Sequence, residues 1–136
     1  MNTNIPAEAH RIEIRVYYED TDFSGNVYHA QYLKFFERGR TEFLRDRGVH
    51  HHELSKKGLH FAVTRMEIFF DAAAHIDEVL TVETRLGEAS GARVALSQSI
   101  RRGEAVISRA EVTVAMINQR GRAARIPGEV RAALGG

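Results

Sequence analysis

Val16-Tyr17-Tyr18-Glu19-Asp20-Thr21-Asp22-Phe23-Ser24-Gly25-Asn26-Val27-Tyr28-His29, with the run that follows from Ala30 to Gly48, decides how this chain is read. It is a strand end, a tight polar loop and one long helix. Three carboxylates (Glu19, Asp20, Asp22), a glycine and a histidine lie within eleven residues, immediately before a helix start. A helix N-terminus carries unpaired N–H groups and a partial positive charge. A carboxylate beside such an end supplies the parts for acyl transfer: a base or nucleophile, and a hole for an oxyanion. Read alone, Asp20-Thr21-Asp22 equally fits a turn with N-cap character.

Working outward, Ile12, Ile14, Val16 and Tyr18 alternate with Glu13, Arg15 and Tyr17 from Arg11 onward, the pattern of a half-buried strand. Residues Met1 to Ala9 read as a tail. On the helix, Tyr32, Leu33, Phe36 and Phe43 share one arc with Phe35 and Leu44 at its edges; Lys34, Glu37, Arg38, Thr41 and Arg45 lie opposite. Gly39 falls inside the apolar arc, where it costs ~1 kcal/mol of helix propensity relative to alanine. Close approach of the helix to a sheet is the compensation expected. Gly48 is placed to end the helix as a C′ residue. Gly25 is available for a positive φ in the loop.

After a polar connector containing His50-His51-His52, with a helical turn near Glu53 to Lys57, come four strand segments: Phe61 to Phe70, Val79 to Leu86, Arg93 to Arg101 and Ala105 to Ile117. Ser90-Gly91 and Arg102-Gly103 are turn signals, so the last three strands are expected to form an antiparallel meander. The last is long enough to need curvature or a bulge. Pro127 is read at a helix N1 position, opening a short turn through about Leu134. In the first segment, Phe61, Val63 and Phe69 fall on one side and Ala62, Met66, Ile68 and Phe70 on the other. Apolar residues on both sides suggest burial on both, and hence an oligomer.

With 136 residues the chain is expected to be a single domain, residues 1–136. Nineteen Lys and Arg against eighteen Asp and Glu give no global field that would demand a nucleic-acid partner. There is no cysteine, which removes thiolate metal sites and cysteine nucleophiles and agrees with a reducing compartment. The start lacks a signal-peptide pattern, and no apolar run nears the ~20 residues of a membrane span. A cytoplasmic location is expected. The three consecutive histidines cannot easily face one ion in regular structure, so no metal site is expected. The absence of a Gly-x-Ser-x-Gly elbow argues against a serine hydrolase.

Asp20-Thr21-Asp22-Phe23-Ser24-Gly25-Asn26-Val27-Tyr28-His29-Ala30-Gln31-Tyr32 closely resembles the signature of the 4-hydroxybenzoyl-CoA thioesterase family, in particular its Tol–Pal-associated (YbgC-like) acyl-CoA thioesterase branch. The similarity continues through Tyr32-Leu33-Lys34-Phe35-Phe36-Glu37-Arg38 and Arg40-Thr41-Glu42, and recurs at Ala110 to Ala115 and Arg125-Ile126-Pro127. The resemblance implies an α+β hotdog fold: a long central helix wrapped by a curved five-stranded antiparallel sheet, in a homodimer that pairs into a dimer of dimers. It implies acyl-CoA hydrolysis to a free acid and CoA, with Asp22 as nucleophile or general base and a backbone N–H at His29, with Ala30 adjacent, as oxyanion donor. The active site would lie at the dimer interface.

Candidate acyl contacts are then Gly25, Tyr28, Phe61 and Val63, with Met66 beside them. Candidate CoA contacts are Arg65, Ser90 and Arg93, in a region sparser in basic residues than the 4-hydroxybenzoyl-CoA enzyme itself. CoA enters as part of the substrate, and no cofactor is expected. The His29 side chain could also move a proton, as imidazole does near neutral pH, or bind substrate. A non-catalytic hotdog protein that senses or sequesters acyl-CoA is the alternative from another class; a hotdog hydratase is a third.

Overall fold

The computed structural model describes residues 9–135; the tail read over residues 1–9 lies outside the described residues except for Ala9, which is buried. Strand β1 (His10–Arg15) leads through a 3-10 turn (Tyr18–Asp20) and the polar loop into helix α1 (His29–Asp46). A short α2 (His51–Lys56) precedes β2 (His60–Phe70), and the chain then runs through β3 (Val79–Ser90), β4 (Arg93–Arg102) and β5 (Ala105–Ile117) to α3 (Gly128–Ala133). The five strands form one antiparallel sheet in the order β1-β3-β4-β5-β2, with the meander β3-β4-β5 at its centre. Among the described residues no helix is long and apolar enough to cross a membrane.

Helix α1 buries Tyr32, Phe35, Phe36, Gly39, Phe43 and Leu44 against the sheet's inner face. This corrects the helical wheel in one respect: Phe35 is fully buried and Leu33 is exposed, so the apolar stripe is rotated toward Phe35 and Leu44. The helix ends in a Schellman motif. Gly48 takes φ 82°, its N–H bonds Arg45 O, and the Val49 N–H bonds Leu44 O at 2.8 Å.

Gly39 is where helix and sheet come closest. A Cβ built there would stand 2.7 Å from Val82 Cγ1, 3.1 Å from Gln98 Nε2 and 3.2 Å from Thr84 Oγ1. Gln98 is itself fixed, donating to Phe36 O and to Thr84 Oγ1. We expect Gly39→Ala to lower stability by about 1–2 kcal/mol, overpacking outweighing the ~1 kcal/mol gain in helix propensity. Urea unfolding with a reduced midpoint and unchanged slope is the check; an increase in stability would mean that the contact is slack.

Strand β2 departs from simple alternation. Its register against β5 shifts between Val63 and Arg65, leaving Thr64 as the extra residue of a bulge. Phe61 and Val63 pair with Met116 and Val114, while Met66, Ile68 and Phe70 pair with Val112, Ala110 and Ser108. Directly paired residues share a face, so all five point inward. The two-sided apolar pattern read from strict alternation is therefore corrected: Ala62 and Phe69 are the apolar residues of the outer face of β2, alongside Arg65 and Glu67.

Three smaller corrections follow from local geometry. Tyr18 lies in the 3-10 turn and is exposed rather than on the inner face of β1. The turn read near Glu53 to Lys57 is a helix that starts earlier, at His51. Pro127 is the N-cap of α3 rather than its first helical residue.

The outer face of the sheet carries a charged hub. The Glu83 carboxylate is 3% exposed and receives Arg11 Nε at 2.7 Å, Arg101 Nε at 2.9 Å and Ser99 Oγ at 3.0 Å. Burial pushes this carboxyl's pKa up, but the donors outweigh it and hold the value at about 2.

Candidate active site

The two aspartates of the polar loop have opposite fates. Asp20 is buried: one carboxylate oxygen accepts the Tyr17 N–H at 2.8 Å and the other accepts Gln31 Nε2 at 2.9 Å. Its carbonyl accepts the Tyr28 N–H at 3.0 Å. Asp20 thus ties the start of the loop to the start of α1. Asp22 is open to the cleft, and only Oδ1 is engaged, by the Ser24 N–H at 2.8 Å and Ser24 Oγ at 2.5 Å. The Ser24 hydroxyl first, and its backbone N–H second, hold the Asp22 carboxyl below its ordinary pKa. A carboxylate with one oxygen bonded and the other directed by that bond is what a base or nucleophile needs.

The loop is pinned to the segment after β2. The Val27 N–H bonds Ala74 O at 2.8 Å, and single bridges join Thr21 to Val27 and Asn26 to His75. Gly25 takes φ 86°, which the turn requires, and its carbonyl accepts the Ile76 N–H. From α1, the buried Tyr32 hydroxyl accepts the Ala74 N–H at 3.0 Å. The loop therefore has fixed walls.

A cleft of about 450 Å³ opens between the loop, the start of α1 and the end of β2. Asp22, Tyr28 and His29 line it together with Asn26, Phe70 and Asp71. Tyr28, the N-cap of α1, offers no side-chain cap, and among the described residues the N–H groups of His29 and Ala30 meet no acceptor. The His29 ring lies 4.5 Å from the Tyr28 ring and edge-on to Phe70 at 6.3 Å, centroid to centroid. Asp71 is a second carboxylate of the cleft that the motif did not signal. Both its oxygens are taken by Arg109, whose hydrogen bonds hold it below its ordinary pKa. Nothing in local spacing relates residue 71 to residue 22, because only the turn out of β2 brings them together.

Phe61 and Val63 lie elsewhere. They line a separate cavity of about 100 Å³ between the second half of α1 and strands β2, β4 and β5. Phe61 and Phe70 stand nine residues apart on one strand, roughly 30 Å at ~3.3 Å per residue. Ser90 and Arg93 pair across the β3–β4 turn at that same far end, exposed. Arg65 and Arg93 both face outward, flanking β5 opposite Thr113 and Ala115 respectively. Within one chain, then, Asp22, Tyr28 and His29 converge with Gly25, whose N–H bonds the Asp22 carbonyl at 3.2 Å, whereas Phe61, Val63, Arg65, Ser90 and Arg93 do not reach them.

His51 lines the second cavity, and among the described residues no three His, Cys, Asp or Glu side chains cluster as a metal-binding group.

Residues 16–134 match the sequence profile of the thioesterase-like superfamily. The acyl-CoA thioesterase YbgC of Haemophilus influenzae is 42% identical over 122 residues, covering 88% of this chain and 90% of that protein. The acyl-CoA thioester hydrolase YbgC of Escherichia coli is 36% identical over 119 residues, 87% of this chain and 86% of that one. Among solved structures, the "probable thioesterase" of Bartonella henselae superposes with a TM-score of 0.84 at 48% identity, covering 88% of this chain and 99% of that one.

Proposed function

Because the chain belongs to the thioesterase-like superfamily and is a thioester hydrolase, we propose that it cleaves acyl-CoA to a free acid and CoA at a site completed by a second copy of itself. One observation carries the reading. A carboxylate held by one oxygen, Asp22, shares a cleft with the uncapped start of a long helix.

The free oxygen of Asp22 either attacks the thioester carbonyl or takes a proton from the water that does. The carbonyl electrons move onto oxygen, and the N–H groups of His29 and Ala30 receive the developing charge. Collapse of the adduct breaks the C–S bond and expels CoA as thiolate. A thiol of pKa ~8.5 makes that departure easy. Where Asp22 was the attacking group, water then hydrolyses the Asp22–acyl anhydride, which releases the free acid and restores the carboxylate. Protein groups and water suffice for the route.

The partner is argued from the sheet. Strand β2 is its edge, with Val63, Phe69 and Phe70 exposed. Antiparallel pairing of two β2 edges about a two-fold axis near Arg65–Met66 would set Phe70 of one chain beside Phe61 of the partner subunit. Phe61 and Val63 of the partner subunit then wall the acyl group whose carbonyl faces Asp22 and Tyr28. Arg65, Ser90 and Arg93 remain the candidates for the CoA phosphates.

Thiol-reagent detection of CoA release across short, long and aromatic acyl-CoAs tests the function. Turnover supports it; measurable acyl-CoA binding without turnover favours the sensor reading. The Asp22 assignment adds a pH test. A hydrogen bond to the charged form lowers a carboxyl pKa, so its loss raises it. In Ser24→Ala the acid limb of kcat/KM is expected to move to higher pH, with the plateau rate largely kept. An unmoved limb would mean that Asp22 does not set it.

A further inference from the structure

Arg40 presents a cation to a cavity whose buried walls are apolar. Its guanidinium is half-buried, and burial lowers its pKa. It donates once, from Nη1 to Gln98 Oε1 at 3.1 Å, and makes no ion pair among the described residues. A guanidinium has five N–H donors in a rigid fork shaped for a carboxylate. Glu37 and His51 also line the cavity but are exposed; the Glu37 charge acts on Arg40 without forming an ion pair, which leaves Arg40 as the half-buried charge there.

Around it Leu96 and Val114 are buried apolar walls, and Val63 stands at the exposed strand edge. At about 100 Å³ the cavity holds roughly three groups of water size at ~30 Å³ each. A long alkyl chain would have to extend out of it past the exposed Val63 edge. A purely apolar guest would also leave the remaining Arg40 donors without a partner in a desolvated space, which is costly.

We propose that Arg40 selects short acyl groups ending in a carboxylate, its guanidinium binding the far carboxylate while Asp22 of the other chain faces the thioester. This deepens, and rests on, the thioesterase reading above. Arg40 is a specificity residue here, since it meets the substrate's distal end and not the reacting atoms.

The test compares glutaryl-CoA with its uncharged isostere 5-methylhexanoyl-CoA, using wild type, Arg40→Met and Arg40→Lys. Wild type is expected to favour glutaryl-CoA in kcat/KM by about 10- to 100-fold, the size of one charge-assisted hydrogen bond. Arg40→Met should reverse the preference, and Arg40→Lys should retain part of it. A wild-type ratio at or below one, or a ratio unchanged in Arg40→Met, overturns the proposal while leaving the thioesterase reading intact. If Arg40→Met fails to fold because Gln98 loses its donor, the wild-type ratio and that of Arg40→Lys still decide. Hydrolysis of neither ester, nor of any simple acyl-CoA, would instead overturn the parent reading.

Discussion

Asp22→Asn is expected to lower kcat for acyl-CoA hydrolysis by about 10²- to 10⁴-fold if the carboxylate acts as general base, and by more if it is the nucleophile. The substitution is suited to this question because the fold has no stake in the charge. Asn keeps an oxygen that can accept both the Ser24 N–H and the Ser24 hydroxyl, the two bonds the wild-type side chain makes. The loop is held elsewhere, through Asp20, the Val27–Ala74 bond and the Tyr32 hydroxyl. The thermal midpoint and elution volume should therefore match wild type, and so should acyl-CoA affinity by calorimetry. A variant with normal folding and normal turnover would remove Asp22 from the chemistry. A variant that binds acyl-CoA but does not release CoA would assign it there.

The second large effect concerns stability. Glu83→Gln is expected to cost about 3 kcal/mol, as for a buried ion pair that loses one partner. The depressed pKa of Glu83 implies a pH dependence of the same size. Glu83 is depressed from an ordinary 4.5 to about 2 in the folded protein. A depressed carboxyl stabilises the fold above its unfolded pKa, and that contribution fades as pH falls toward the folded value. About 2.5 units at 1.36 kcal/mol each is about 3 kcal/mol, lost between roughly pH 4.5 and pH 2. Urea titrations at neutral pH and near pH 2.5 should show wild type and variant far apart in the first and close in the second. Equal stabilities at neutral pH would show that Arg11 and Arg101 are as well solvated without Glu83 as they are paired with it.

Much of this architecture could be read from residues in series. The long helix, its glycine stop at Gly48, the close approach at Gly39 and the antiparallel meander all depend on neighbours a few positions apart, and all are present. The bulge at Thr64 was not legible, because a strand written as strict alternation has no place for an extra residue. The shift of the apolar stripe from Leu33 toward Phe35 has a similar origin. A helical wheel ranks side chains by angle, whereas the sheet decides which of two neighbouring leucine- and phenylalanine-sized groups is covered.

The site divides along the same line. Asp22, Tyr28 and His29 are local to one loop, so their convergence could be read in advance. Asp71 meets Arg109 through pairing of distant strands, and Arg40 meets Gln98 through packing of α1 on the sheet. The roughly 30 Å between Phe61 and the Asp22 end of β2 belongs to a geometry that a single chain read in order does not contain.

The separation of duties between Asp20 and Asp22 has an evolutionary consequence. One aspartate holds the loop to the helix and the other, in the role proposed for it, serves the chemistry, so the two can drift independently. An Asp codon becomes an Asn codon by one base change. A lineage could therefore pass from catalyst to acyl-CoA receptor in a single mutational step at position 22, with its fold and cleft unaltered. The reverse step is equally short.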